Sequence, residues 1–255
     1  MSTAEEWVPA IRRAQDRYKA LVSPLGEQDV EAPSYASEWS IAQVASHLGS
    51  QAEIFGLVLD AGLTGGTAPG FESFPPIWDR WNERTPFEQV ADSILTNEEF
   101  VTRVEGLTPG ELAGFAVSIF GRDIDFTGFG AMRLSEHGLH TWDIEVARDE
   151  AALVAPDAIE LLVDTLPGVV SYTAKPAEAP ATLVVETTAP ERRFILTTGP
   201  EISLKPDSGT SDPDISLPAE AFVRLVYGRL SPQNTPAGVV GEELLPGLRT
   251  VFTGF

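Results

Sequence analysis

The chain of 255 residues contains no cysteine. That excludes disulfides, thiolate metal sites, iron–sulfur clusters and every mechanism with a cysteine nucleophile, so any sulfur nucleophile has to arrive as a small molecule. Lysine is scarce as well: Lys19, Lys175 and Lys205 are the only three, and arginine supplies the rest of the 17 basic residues. Against 38 acidic residues these leave a formal charge of −21 and no basic patch. A surface of that sign repels phosphate backbones and anionic lipid, which argues against nucleic acid and membrane surfaces as partners. No run approaches the ~18 uninterrupted apolar residues of a membrane span. The opening residues, Met1 to Trp7, are acidic where a secretory signal is basic and then apolar, so a cytoplasmic protein is expected. Several catalytic templates are also missing. There is no Walker loop, no Gly-x-Ser-x-Gly elbow and no His-Glu-x-x-His helix, and Gly128-Phe129-Gly130 lacks the third glycine of a dinucleotide fingerprint.

What remains is the composition of a packed protein, 43% hydrophobic and 22% charged. The first half reads as four amphipathic helices. One runs from Thr3 to Val22 behind Ser2 or Thr3 as cap, with Glu5 and Glu6 in its first turn, where the helix dipole favours acid. A second, Ser40 to Leu63, carries Ile41, Val44, Leu48, Ala52, Phe55 and Leu59 at steps of three and four. Pro86 opens a third that continues to Gly106. The fourth spans about Gly128 to Asp149. Four such helices imply a bundle. A further helix is expected over 156–172, followed by the Pro/Ala-rich connector Ala174 to Pro180. Beyond it lie β-branched runs bounded by Pro and Gly, at 182–188, 193–198 and 202–204, then helical spacing at 218–230 and 242–251. The expected fold is therefore α+β in two domains, a helix bundle over 1–173 and a small α+β unit over 181–255.

The fourth helix holds the chemistry. Its central run is Glu136-His137-Gly138-Leu139-His140-Thr141-Trp142-Asp143. With Glu136 as origin and about 100° per residue, His140 falls at about 40° and Asp143 at about −20°, a polar wedge about 60° wide. Phe129, Met132, Leu139, Val146 and Ala147 share that face, so the wedge should point into the bundle, where a carboxylate and an imidazole need each other or a metal. The i, i+4 pair Glu136/His140 could share one cation, and His47, on the flank of the second helix's apolar face, is the candidate third ligand. Two His and one Glu with open coordination positions suit a catalytic divalent ion, zinc foremost and ferrous iron as the other use of this set. Asp143 could orient an imidazole from behind or act on substrate. His137 lies about 100° from Glu136 and is expected to be partly exposed, though three residues from His140 it remains a rival ligand. The aromatics Trp78, Trp81 and Phe87, with Arg80 and Arg84, could wall a pocket or serve the core.

Trp39-Ser40-Ile41-Ala42-Gln43-Val44-Ala45-Ser46-His47-Leu48, then Arg80-Trp81-Asn82, then Glu136 to Asp143, together resemble the mycothiol-dependent maleylpyruvate isomerase family, a branch of the DinB-like metalloproteins. The resemblance covers both expected domains. It implies an N-terminal four-helix bundle binding zinc through His47, Glu136 and His140, with Asp143 behind His140. It also implies a small α/β C-terminal domain, likened to sterol carrier proteins, that can supply an arginine for a substrate carboxylate; Tyr227-Gly228-Arg229-Leu230 is where Arg229 would provide it. Arg229 closing a helix in water is the structural alternative. The family's thiol is mycothiol, so the partners implied are that low-molecular-weight thiol and a small-molecule electrophile. Zinc would hold the thiol as thiolate. S-transfer is slightly favoured over cis–trans isomerisation because it demands less of the second domain. The other readings are a non-catalytic small-molecule binder with a structural metal, and a zinc-dependent hydrolase.

Overall fold

The computed structural model describes residues 3–36, 38–177 and 179–254, and divides into two compact units, 1–153 and 154–255. The first unit is built on four long helices, α1 (Ala4–Val22), α3 (Ile41–Leu63), α5 (Pro86–Glu105) and α7 (Phe126–Glu145), with three short ones between them, α2 (Glu27–Val30), α4 (Pro75–Asn82) and α6 (Pro109–Gly114). Helix α1 packs on α5 and α7, and α3 packs on the same two, which closes the bundle. In α1 the buried positions Trp7, Ala10, Ile11, Ala14, Tyr18 and Val22 recur at three- and four-residue steps, so one face is apolar and the rest carries charge. Each large side chain so buried contributes about 1.5–3 kcal/mol.

Caps mark the helix starts. Thr85 and Thr108 each accept from the backbone N–H three residues on and are followed by proline, which supplies a preset φ where no N–H is needed. Gly49 is the close-approach point between α3 and α4, since a Cβ there would lie 2.1 Å from the Trp81 ring. A cluster of phenylalanines, Phe55, Phe100, Phe115, Phe126 and Phe129, fills part of the bundle with ring centroids 5.1–6.4 Å apart.

The short helices α2, α4 and α6 are absent from the sequence expectation, and so is a β-hairpin. Strands β1 (Ala116–Ile119) and β2 (Arg122–Asp125) pair antiparallel and run straight into α7. Their two-residue turn, Phe120-Gly121, has φ of 50° and 75°, the positive pair that a tight hairpin demands. Asp125 ends the hairpin and caps α7 by accepting from Gly128 N–H at 2.9 Å.

The second unit contains α8 (Pro156–Leu162), α9 (Leu166–Thr173), α10 (Ala219–Val226), α11 (Leu245–Val251) and a four-stranded sheet of β3 (Ala181–Thr188), β4 (Arg192–Thr198), β5 (Ser203–Pro206) and β6 (Ile215–Pro218) in the order β5-β4-β3-β6. The first three strands form an antiparallel meander, and β6 returns to pair parallel with β3. The three β-branched runs of the sequence are β3, β4 and β5; β6, with only Ile215 and Leu217 facing inward, was not foreseen. The expected helix over 156–172 is interrupted by a 3₁₀ turn at 163–165, where Pro167 cannot donate to the preceding turn. These helices also move the boundary. Helix α9 packs on β5 and both α8 and α9 pack on α10, so the division falls at 153/154 and not at the connector 174–180. No helix among the described residues is long and apolar enough to cross a membrane.

Candidate metal centre

Ser40 starts α3 with a reciprocal cap: its hydroxyl accepts from Gln43 N–H at 3.2 Å while its own N–H donates to Gln43 Oε1 at 2.8 Å. His47, two turns along, therefore has a defined direction. It faces α7, where Glu136 and His140 lie one turn apart. The Nε2 of His47 is 2.9 Å from Glu136 Oε2, and the Nε2 of His140 is 3.7 Å from the same oxygen. The ligand atoms of the three residues all lie within 4.8 Å of one another, the one such group among the described residues.

Behind this trio, Asp143 is fully buried and its Oδ2 sits 2.8 Å from His140 Nδ1. A carboxylate on Nδ1 fixes that ring and its tautomer and leaves Nε2 as the outward, ligand-side atom. The donor set fits a divalent transition metal on chemical grounds: two imidazole nitrogens and one carboxylate oxygen, with room for further ligands because only three protein groups converge. The trio is half-buried, with side-chain exposures of 21% for His47, 30% for Glu136 and 12% for His140, so a small molecule can reach it.

The phase of α7 differs from expectation at His137. That side chain is only 2% exposed, where a partly exposed histidine was anticipated, and it is Glu136 that opens to solvent. The reason is that α7 is buried on nearly every side, so its residues off the trio's face meet the bundle core instead of water. Arg133, one turn earlier and 1% exposed, donates to His137 Nδ1 at 3.1 Å and also to Asn97 Oδ1. Its guanidinium lies 5.5 Å and 5.1 Å from the Phe55 and Phe100 ring centroids. Burial pushes Arg133 down to about 10. Burial first, and then the charge of Arg133, holds the His137 imidazole well below the usual histidine range. His137 is thus no part of the trio. Nothing in the helical arithmetic flagged Arg133; its i, i+4 relation to His137 was the available signal.

A second feature without a counterpart in the sequence reading is the segment before α3. Ser34 N–H donates to Trp39 O at 3.0 Å, and Tyr35 N–H donates to the backbone oxygen of Asp143 at 2.9 Å. The Trp39 indole then lies against both candidate ligands, 5.1 Å from the His47 ring and 5.9 Å from the His140 ring.

The other singled-out residues fall elsewhere. Trp81 is core, its indole N–H donating to Glu53 at 2.7 Å with Arg84 stacked 3.8 Å above the ring. Trp78 clusters with Phe71 and Phe74, and Phe87 is exposed. In the second unit, Arg229 lies past the end of α10 and does not close it from within. Gly228 takes φ 71° and Arg229 N–H returns to Arg224 O at 2.7 Å, the left-handed stop that ends helices.

Comparisons with known proteins bear on the fold and the family. Two solved structures resemble the chain: the mycothiol-dependent maleylpyruvate isomerase, at 17% identity and a TM-score of 0.64, and a histidine-to-alanine mutant of that enzyme, at 16% and 0.64. Each comparison covers 90% of this chain and 92% of the other, and at such identity it establishes the fold. No curated protein matches the chain. The family model for the mycothiol maleylpyruvate isomerase N-terminal domain matches residues 11–145, just over half of the sequence, and includes His47, Glu136, His140 and Asp143. The chain belongs to the mycothiol maleylpyruvate isomerase N-terminal domain family.

Proposed function

We propose that this protein is a metal-dependent enzyme that uses a low-molecular-weight thiol, mycothiol, to attack an electrophilic carbon of a small molecule. The observation that carries this reading is the trio His47, Glu136 and His140, half-open to solvent, in a chain with no thiol of its own. A divalent ion, zinc foremost, held by these three residues would supply Lewis acidity that keeps a thiol ionised at neutral pH.

The residues of the chain supply the rest. His47 and His140 would offer their Nε2 atoms to the ion, and Glu136 would offset part of its charge. Asp143 accepts the hydrogen of His140 Nδ1 and so keeps that ring from turning. Arg229, on the second unit, is the residue proposed to hold a substrate carboxylate. Addition forms a sulfur–carbon bond and turns the acceptor's double bond into a single bond. If the adduct rotates and expels the thiolate, the double bond reforms as its isomer and the thiol is regenerated, with no net redox change. If the adduct's carbanion takes a proton instead, the outcome is S-transfer. The structural relatives are isomerases, the first outcome, and it is the one proposed here.

Turnover of an α,β-unsaturated carboxylic acid should require both the metal-loaded protein and added thiol, and the thiol should be recovered unchanged. Stoichiometric thiol consumption identifies a transferase. Full-rate turnover in thiol-free buffer, with water entering the product, would replace this reading by hydrolysis.

A further inference from the structure

His47 and His140 are held in different ways. An imidazole's χ2 is a soft, broad torsion, so a ligand ring points at a metal only when something else fixes its plane. Histidine ligands usually meet this need through a hydrogen bond on the nitrogen away from the metal. His140 does so, with Asp143 Oδ2 at 2.8 Å from its Nδ1. His47 uses its Nε2 towards Glu136, and among the described residues no hydrogen bond reaches its Nδ1. What meets the His47 ring is aromatic: the His140 edge, with centroids 4.6 Å apart at 66°, and the Trp39 indole, 5.1 Å away at 42°.

Trp39 is unlike the core tryptophans. Trp7, Trp81 and Trp142 are 0–1% exposed, whereas Trp39 is 37% exposed while lying against both imidazoles of the trio. An indole serving only the core would be covered. Its backbone is nevertheless fixed on both sides, by the Ser34 N–H bond to its carbonyl and by the Ser40 cap that follows it directly. The indole stacks at 29° on the His140 ring and meets the His47 ring tilted at 42°. From this asymmetry we propose that Trp39 is a positioning residue of the metal centre: wedged against the His47 ring while stacked on His140, it limits how the His47 ring can turn, a restraint that Asp143 supplies to His140. The proposal rests on the reading of the trio as a metal site.

The test is zinc affinity of the metal-stripped full-length chain, measured by competition with a chromophoric chelator, for wild type and for Trp39→Phe, Trp39→Leu and Trp39→Ala. Melting temperatures of the metal-free forms are recorded alongside. Phe keeps a flat ring and should bind zinc as wild type does. Leu keeps bulk without a plane and Ala keeps neither; both should bind zinc about tenfold more weakly. A folded Leu variant with wild-type zinc affinity overturns the proposal, as does a folded Phe variant that loses affinity as Leu does. If wild type itself binds no zinc, the metal reading falls and the positioning role with it. That result is distinct from tight binding by all four proteins, which overturns only the role of Trp39.

Discussion

Arg133 reaches one turn along α7 to donate to His137 Nδ1 at 3.1 Å, and both side chains are buried inside the bundle. The imidazole is therefore an acceptor for a permanent cation and stays neutral where a free histidine would begin to charge. Protonating it in place would set two cations side by side in an apolar interior.

Acid sensitivity follows from that contact. Because His137 is depressed in the folded state, the imidazole is neutral in both states above the usual histidine pKa of about 6.5, and the stabilising difference is fully present there. As pH falls below that value only the unfolded chain takes up the proton, so stability drops by up to about 1.4 kcal/mol per pH unit from this group. Denaturant midpoints measured between pH 7.5 and 5.5 should show this slope in the metal-free wild type. It should be smaller in His137→Asn, which keeps an acceptor towards Arg133 without a titrating ring. Equal slopes would show that His137 is not the acid-sensitive group.

Metal content should separate the histidines of α7. Ala at His47, Glu136 or His140 should each remove most of the bound metal, measured by elemental analysis, because each removes one of three converging ligand atoms. His137→Asn should retain it. Asp143→Ala should bind metal about 10- to 100-fold more weakly without abolishing the site, since its contact is with the far nitrogen of His140. Retention of full metal in His140→Ala with loss in His137→Asn would mean that α7 presents its other side.

Arg229→Gln should leave metal content as in wild type and lower the melting temperature only slightly, because the α10 stop is made by the Arg229 backbone and Gly228, and the side chain adds one bond, from the guanidinium to Tyr227 O at 3.1 Å. If the guanidinium binds a substrate carboxylate, KM for a carboxylic acid substrate should rise at least tenfold, about 1.4 kcal/mol, with less change for an uncharged electrophile. Equal effects on both substrates would remove Arg229 from substrate recognition.

The long helices and the trio could be read in the amino-acid order because both depend on local periodicity. Ile41–Leu63 and Pro86–Glu105 repeat apolar residues every three or four positions, and Glu136, His140 and Asp143 share a face by spacing alone. What could not be read depends on partners distant in sequence. His137 is buried because α1 brings Tyr18 to meet it, the rings 5.3 Å apart. Strand β6 is four residues long, too short for a periodic signal, and exists because β3 offers an edge. The unit division differs from expectation for a similar reason: Pro and Ala mark a connector, but which side α8 and α9 belong to is decided by β5 and α10, which begin only at Ser203 and Ala219.

The reciprocal bond between Ser40 and Gln43 acts as an angular zero for the whole of α3. Every side chain after it is aimed by counting from that point, Gly49 towards Trp81 and His47 towards Glu136. One residue inserted between Ser40 and His47 would swing the imidazole through about 100°, out of reach of α7, with every ligand residue still present. Trp39, immediately before the zero, would stay where it is. The number of residues between Ser40 and His47 is therefore as much a part of the site as the imidazole itself.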